Sequence, residues 1–204
     1  MTCIAARAHY SPAMSDYYSY APLVRLQKPL LLCGLPGADV AMTARVATML
    51  TGLQLVSVDR RVEHLASNAA ELVEFREGRE QRLALEEQVI AEALGRRSPP
   101  VIAASPVTLT SASLVDRLAG ANWLCLHMTV AEAMEAMRRQ VAEDRRRHYA
   151  LRAGGPIDDS LKPELEQVER VLRDTPDRIS IRGRTALEVG EEVAAWLMDG
   201  TRDA

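Results

Sequence analysis

The chain has 204 residues, of which 48% are hydrophobic and 26% are charged, a composition typical of one soluble globular domain with a sizeable core. Its formal net charge of -3 argues against a nucleic-acid-binding protein, and no apolar stretch is long enough to span a membrane. The N-terminus lacks a basic segment followed by an apolar one, so no secretory signal is predicted and a cytoplasmic location is expected. The three cysteines lack metal-ligand spacing and are expected to be small structural side chains.

Residues 1 to 28 form a polar arm without a clean hydrophobic period, and a single domain is predicted at 29 to 200. The arm contains four tyrosines, Tyr10, Tyr17, Tyr18 and Tyr20. Two interpretations are open: a flexible extension that packs partly on the domain, or a partner-binding segment, because tyrosine is common at protein interfaces. The flexible extension is favoured.

The domain begins with the pattern of a strand, a glycine turn and a helix. An apolar run that ends at Cys33 predicts a buried parallel strand, Gly34 and Gly37 bracket a turn, and a helical period begins near Val40. This order is the context of a phosphate-binding loop, whose working form is G-x-x-x-x-G-K-[ST].

The residues that give such a loop its chemistry are replaced. With Gly34 aligned on the first glycine, Asp39 takes the position of the second, Val40 that of the lysine and Ala41 that of the hydroxyl. The lysine neutralises phosphate charge and the hydroxyl completes a Mg²⁺ shell, so neither task can be done by valine or alanine. We therefore interpret Gly34, Gly37 and Asp39 as a vestigial phosphate loop.

The rest of the chain alternates strands and helices. Further strands are predicted at 53–58, 101–104, 123–128 and 178–181, and further helices beginning near 59, 68, 83, 112, 129, 161 and 185. Thr129 and Glu132 have the spacing of a capping box, and Phe75 is expected to be buried. The alternation predicts a parallel sheet covered by helices on both faces.

Four segments in fixed order carry a resemblance to a known family. They are the loop 34–41, Ser57-Val58-Asp59, the stretch 77–86, and 101–104 followed by Ser105-Pro106-Val107. Shikimate kinases have at these places their phosphate loop, an Asp-x-Asp, an E-G-E-x-x-F-R-x-x-E stretch and three glycines. Over residues 29 to 198 the chain resembles the shikimate kinase family. The resemblance implies an α/β fold of three layers, α/β/α, the P-loop kinase fold, with a five-stranded parallel sheet.

On the nucleotide side, the resemblance implies degenerate catalytic and metal positions at Val40, Ala41 and Ser57. Ser57 stands where the family has the first Asp of Asp-x-Asp, close to the metal. No catalytic residue, metal or cofactor is therefore expected, and ATP with Mg²⁺ would be needed only by an active kinase.

On the acceptor side, the resemblance implies a substrate pocket formed by Asp59, Arg82, Leu83, Ser105 and Arg170. Asp59 would bind substrate hydroxyls, although an Asp between a strand and a helix is more often an N-cap, and capping is favoured. Leu83 takes the position of a substrate-binding arginine, and Arg82, turned by about 100° on a helix, is expected to be a poor substitute. Arg170 corresponds to a second such arginine, and Ser105 begins the segment that replaces the three glycines.

Three functions remain open. The first is a pseudoenzyme that acts by protein binding or regulation, and the second is a sensor of a small acidic metabolite in the former shikimate pocket. The third is an atypical active shikimate or other small-molecule kinase, against which the combined losses argue. A protein partner or self-association is expected, through the tyrosine arm or the arginines between 138 and 147, which a solvated helix face also explains.

Overall fold

A computed structural model describes residues 24–143 and 159–200. Most of the predicted arm, at 1–23, and the arginine-containing stretch 144–158 lie outside these residues. Val24 is only 2% exposed and Leu26 packs against the core. Core packing therefore includes residues that precede the predicted boundary at 28.

One parallel sheet forms the centre of the described chain. Its strands are β1 (Leu30–Gly34), β2 (Leu55–Ser57), β3 (Val101–Ala103), β4 (Asn122–His127) and β5 (Asp177–Ser180). Across the sheet their order is β2-β3-β1-β4-β5, and in β1 Leu31 pairs with Ile102 on one side and Trp123 on the other. The predicted five-stranded parallel sheet is confirmed. Strand β2 is shorter than predicted because a helix begins directly after Ser57.

Helices cover both faces of the sheet. Within the described residues they are α1 (Val40–Thr51), α2 (Val58–Ala66), α3 (Ala70–Glu77), α4 (Arg79–Leu94), α5 (Ala112–Leu118), α6 (Val130–Glu143), α7 (Lys162–Arg173) and α8 (Ala186–Gly200). The predicted capping box is confirmed at the start of α6, where the Thr129 N–H donates to Glu132 Oε2 at 2.9 Å and the Glu132 N–H to Thr129 Oγ1 at 3.2 Å. In the part of the chain described, no helix has the length and apolar character needed to cross a membrane.

Alternating side chains of β1 explain the three layers. Leu30 and Leu32 belong to the cluster beneath α1 and α8, whereas Leu31 and Cys33 belong to the cluster beneath α2, α4 and α5. Successive residues of a strand face opposite sides, and a strand covered on both sides needs a continuous apolar run. The run at 30–33 therefore specifies the central strand of a two-faced sheet.

The prediction that Phe75 is buried is wrong. The ring lies on α3 and is 64% exposed, while Ala70 and Val73 of the same helix are fully buried. Two residues along a helix turn the side chain by about 200°. The helix that directs Val73 into the core must therefore direct Phe75 away from it.

Candidate functional site

A cavity of about 360 Å³ lies where β2 and β3 end, beside the turn that follows β1. Ligands of open parallel sheets bind at this carboxyl edge. Three of the five sequence-predicted pocket residues line the cavity: Asp59 from the first turn of α2, Arg82 from α4, and Ser105 just after β3. The topology thus brings together side chains that are far apart in the sequence.

Arg82 is the centre of a buried polar network. Its side chain is 4% exposed, and its Nη2 donates to Asp59 Oδ1 at 2.5 Å and to Ser105 Oγ at 2.9 Å. Its Nε donates to Glu86 Oε1 at 3.0 Å, one helical turn further along α4. Four parts of the fold therefore hold one guanidinium in place. They are α2 with Asp59, α4 with Glu86, the segment after β3 with Ser105, and the 3-10 turn at Thr108–Thr110, which binds Glu86.

Glu86 lies behind Arg82, away from solvent. Its side chain is 0% exposed, and its second oxygen, Oε2, accepts a hydrogen bond from Thr108 Oγ1 at 2.6 Å. Both carboxylate oxygens thus have donors, which a buried carboxylate requires.

The two buried groups respond differently to their surroundings. Burial raises the pKa of Glu86 above its ordinary value, and this effect outweighs the opposing influence of Arg82 and Thr108. Burial alone would lower the pKa of Arg82, but the carboxylates of Asp59 and Glu86 hold it above its ordinary value. The difference arises because Arg82 faces two carboxylates, whereas Glu86 is deeper and faces one guanidinium. Arg82 therefore keeps its charge.

Three sequence expectations about this site are corrected. Leu83, predicted to line the pocket, packs against the hydrophobic core instead, while the pocket candidate Arg82 beside it does line the cavity. Arg170 is exposed on α7, where its Nε donates to the backbone carbonyl of Glu166 at 3.2 Å, and it does not line the cavity. Asp59 is not the N-cap: Ser57 holds that position, and the Asp59 carboxylate binds Arg82 instead.

The helical phase of α4 explains why Arg82, and not Leu83, lines the cavity. Arg82, Glu86, Val89 and Ala93 are all buried and lie on one stripe of α4, at the spacing of i, i+4, i+7 and i+11. A motif alignment fixed on Leu83 ignores this stripe. The sequence signal that identifies Glu86 beside the predicted Arg82 is the phase of these two charged residues with the apolar ones of α4.

The rim of the cavity carries further charged and apolar side chains that sequence reasoning missed. Arg79 Nη2 donates to Thr110 Oγ1 at 2.5 Å and pairs with Glu164 Oε1 at 3.2 Å. Glu74 and Phe75 line the same cavity from α3. The ion pair of Arg79 and Glu164 joins α4 to α7, two helices that line the cavity.

The loop that follows β1 has a backbone that its packing requires. Gly37 has a φ of 91°, and a Cβ at this position would lie 2.8 Å from the Cβ of Ala136 in α6. A Cβ at Gly34 would lie 2.9 Å from the Cβ of Ala38. Close packing therefore explains why glycine occupies both positions, whether or not a phosphate binds there.

The side chains of the loop offer little to an anion. Val40, at the lysine position, is 8% exposed and packs in the core beneath α1 and α8. Asp39 is exposed and adopts a left-handed backbone (φ 50°, ψ 43°), and Ala41 is exposed as well. Within residues 24–143 and 159–200, no group of three or more His, Cys, Asp or Glu side chains is placed to hold a metal ion.

Comparison with known proteins relates the chain to solved kinase structures. No protein-family model and no curated protein matches the sequence. The shikimate kinase of Acinetobacter baumannii, solved in complex with shikimate, has 14% identity and a TM-score of 0.61, and the match covers 85% of this chain and 95% of that one. The shikimate kinase of Aquifex aeolicus has 12% identity and a TM-score of 0.67, and the match covers 85% of this chain and 98% of that one.

A gluconokinase of Sinorhizobium meliloti also matches, with 16% identity, a TM-score of 0.56, and coverage of 88% of this chain and 96% of that one. At these identities the similarity establishes the fold alone. The chain has the shikimate-kinase-like P-loop kinase fold that its sequence predicts.

Proposed function

We propose that this protein is a pseudoenzyme with a kinase-like fold, which transfers no phosphoryl group and acts by binding a regulatory ligand in the cavity around Arg82. One observation carries the proposal. Val40, at the position of the phosphate-loop lysine, packs in the core, while a cavity of about 360 Å³ beside the loop keeps a dense charged network.

The loop lacks each group that phosphoryl transfer requires. Catalysis of this reaction depends on positive charge at the β- and γ-phosphates and on a coordinated Mg²⁺. Val40, Ala41 and Ser57 stand at the lysine and metal-ligand positions. Asp39 adds a carboxylate, and two like charges about 4 Å apart repel by about 1 kcal/mol even in water. The loop therefore favours neither nucleotide nor metal.

The cavity supports a binding role. Moving charged groups from water into a protein costs several kcal/mol per ion unless partners compensate for it. Here Arg82 is buried and paired with carboxylates, and the buried Glu86 has a hydrogen-bond donor at each carboxylate oxygen. Such a network keeps polar groups at the wall of a cavity in a fixed geometry, which favours recognition of a ligand with its own charge and shape.

A second way of acting, through a protein partner or self-association, is favoured by the surface of α1. Met42, Met49 and Leu50 are 46%, 75% and 47% exposed, and Leu26 packs against the core on the same side of the sheet. Clustered exposed apolar side chains are typical of contact surfaces. Deletion of residues 1 to 20 and the variant Met49→Glu, compared by mass in solution and partner capture, test this second function. Unchanged assembly and partners in both variants would exclude it.

Nucleotide binding tests the main proposal. Calorimetry with ATP, with and without Mg²⁺, is expected to show no binding at physiological concentration, and purified protein is expected to release no ADP in the presence of shikimate or gluconate. The variant Ala41→Glu is the control, because this exposed residue in the first turn of α1 can be changed without disturbing the core. ATP turnover that Ala41→Glu abolishes would overturn the proposal.

A further inference from the structure

We infer that Cys33 and Cys125 form an oxidation site, in which a small hydroperoxide converts the two thiols into a disulfide that joins β1 to β4. The inference goes beyond the proposed function and does not depend on the cavity around Arg82. It departs from the sequence-based expectation that the cysteines are only small structural side chains.

The sheet places the two cysteines side by side. Cys33 of β1 is in register with Cys125 of β4, and both side chains belong to the same core cluster. Neighbouring strands lie about 4.8 Å apart, which is within the range of about 4.4–6.8 Å between the Cα atoms of disulfide-bonded cysteines. The Sγ of Cys33 also donates to the backbone carbonyl of Leu124 at 3.5 Å. The Cys33 sulfur therefore lies against β4, next to Cys125.

A second, smaller cavity gives an oxidant access to Cys125. Its volume is about 100 Å³, and Cys125, His127, Arg173 and Arg178 are among the residues that line it. A water molecule occupies about 30 Å³ in the liquid, so hydrogen peroxide fits this cavity, whereas a peptide disulfide such as oxidised glutathione does not. Cys33 is fully buried and lies outside the lining. Cys125 is therefore the thiol that meets the oxidant.

Arg178 favours ionisation of the Cys125 thiol. It is in register with Cys125 on β5, and its guanidinium is held by hydrogen bonds to the backbone carbonyls of Thr175 and Leu172, each at 3.1 Å. A hydrogen bond from the Cys33 thiol lowers the pKa of Cys125, as does the charge of Arg178, against the effect of burial. The Cys125 thiol and burial raise the pKa of Cys33. The thiolate is the reactive form of cysteine, so Cys125 reacts first.

The oxidation balances with one hydrogen peroxide. The Cys125 sulfur attacks a peroxide oxygen, so that an S–O bond forms and the O–O bond breaks, and the leaving hydroxide takes the thiol proton to become water. Cys125 is then a sulfenic acid, which condenses with a thiol. The Cys33 sulfur attacks the Cys125 sulfur, the S–S bond forms, the S–O bond breaks, and hydroxide leaves with the Cys33 proton as a second water. The two thiols lose two electrons and the peroxide gains them.

Thiol counting on the full chain tests the inference. The folded protein is treated with hydrogen peroxide or with oxidised glutathione, its remaining thiols are alkylated in denaturant and counted by mass, and the disulfide is located in peptides. We expect peroxide to consume two of the three thiols and to link Cys33 to Cys125, and glutathione to act far more slowly. Three intact thiols after peroxide, a disulfide that includes Cys3, or equal rates with both oxidants would overturn the inference.

Cysteine variants test the order of the two steps. Cys33→Ser is expected to stop at the sulfenic acid of Cys125, which dimedone traps, and Cys125→Ser is expected to leave Cys33 reduced. Cys3→Ser is the matched control, because Cys3 lies outside the described residues and takes no part in the proposed reaction, and it should form the disulfide at the wild-type rate. Trapping of Cys33 in Cys125→Ser as fast as of Cys125 in Cys33→Ser would overturn the assignment of Cys125 as the attacking thiol.

Two arginines of the small cavity test the role of charge. Arg178→Gln is expected to slow the loss of thiols about tenfold, since less of the Cys125 thiol is then ionised. Arg173→Gln is the control, because Arg173 lines the same cavity but pairs with Glu169 at 3.9 Å, and it should react at nearly the wild-type rate. Unfolding does not mimic the expected result, because it exposes both thiols and speeds their oxidation. Equal rates in the two variants would overturn the role of Arg178.

Discussion

The phosphate loop and the cavity around Arg82 are neighbours at the carboxyl edge of the sheet, since Pro36 of the loop lines the cavity, but they differ in what their residues do. In the loop, Gly34 and Gly37 have a backbone demanded by packing, and the side chains carry no cation. In the cavity, Arg82 and Glu86 are buried and bound to each other, Arg82 also binds Asp59, and Glu86 also binds Thr108. The shape of a site and its chemistry are therefore specified by separate residues, and one can persist without the other.

The largest expected effect comes from the centre of the cavity network. Arg82→Ala leaves the buried Glu86 carboxylate without its cation, and we expect it to lower the free energy of unfolding by about 3–5 kcal/mol. Urea denaturation measures this loss. Arg170→Ala, at an exposed arginine of α7, is the control and is expected to stay within about 0.5 kcal/mol of the wild type.

A double variant sharpens this result. Arg82→Met combined with Glu86→Leu removes both buried charges and is expected to recover most of the stability lost in Arg82→Ala, because apolar residues of similar volume often replace a buried ion pair without cost. If Arg82→Ala itself cost less than about 1 kcal/mol, comparable with exposed substitutions, the network would be no more than a surface contact.

A smaller effect is expected in the loop. Gly37→Ala places a Cβ 2.8 Å from the Cβ of Ala136 and forces alanine to a φ of 91°. Gly78→Ala is a matched control, because Gly78 has a φ of 90° and nothing within 4 Å of its Cβ position. We expect thermal unfolding without nucleotide to show a loss of about 1 kcal/mol for Gly78→Ala and of about 2–3 kcal/mol for Gly37→Ala. Equal losses would show that α6 does not constrain the loop.

The sequence predicts the sheet well and the site only in part. The run at 30–33 and the capping box of Thr129 and Glu132 are local patterns, and both are confirmed in the structure. The network of Arg82 depends on partners from other elements, such as Asp59, 23 residues away. Such contacts arise from tertiary packing, which no local period reveals. The in-phase spacing of Arg82 and Glu86 along α4 is the part of the network that a local pattern indicates.

The next prediction concerns the pH dependence of stability. Burial raises the pKa of Glu86, so the folded protein holds this proton at pH values where the unfolded chain has released it. The contribution of Glu86 to stability is therefore greatest in acid and declines as pH rises from the ordinary Glu pKa toward the raised one. Glu86→Gln lacks this decline, so the wild type should lose stability relative to the variant as pH rises through this window.

Glu132 provides a control of opposite sign. Hydrogen bonds from the backbone and side chain of Thr129 lower its pKa, so its contribution is present above the ordinary Glu pKa and is lost as pH falls through the lowered value. Glu132→Gln should therefore reduce stability near neutral pH and converge with the wild type in acid. Urea unfolding across this pH range compares the three proteins, and parallel curves for the wild type and Glu86→Gln would contradict the assignment of Glu86.

The smallest effect on stability is expected at the mouth of the cavity. Phe75→Ser should change the free energy of unfolding by less than about 0.5 kcal/mol, because the ring is 64% exposed. Val73→Ala, at a fully buried residue of the same helix, should cost about 2 kcal/mol. A loss of stability as large as that of Val73→Ala would mean that the ring packs in the core, as the sequence pattern suggests. A phenylalanine at the mouth of a cavity that adds little to stability belongs to the surface of that cavity and not to the core.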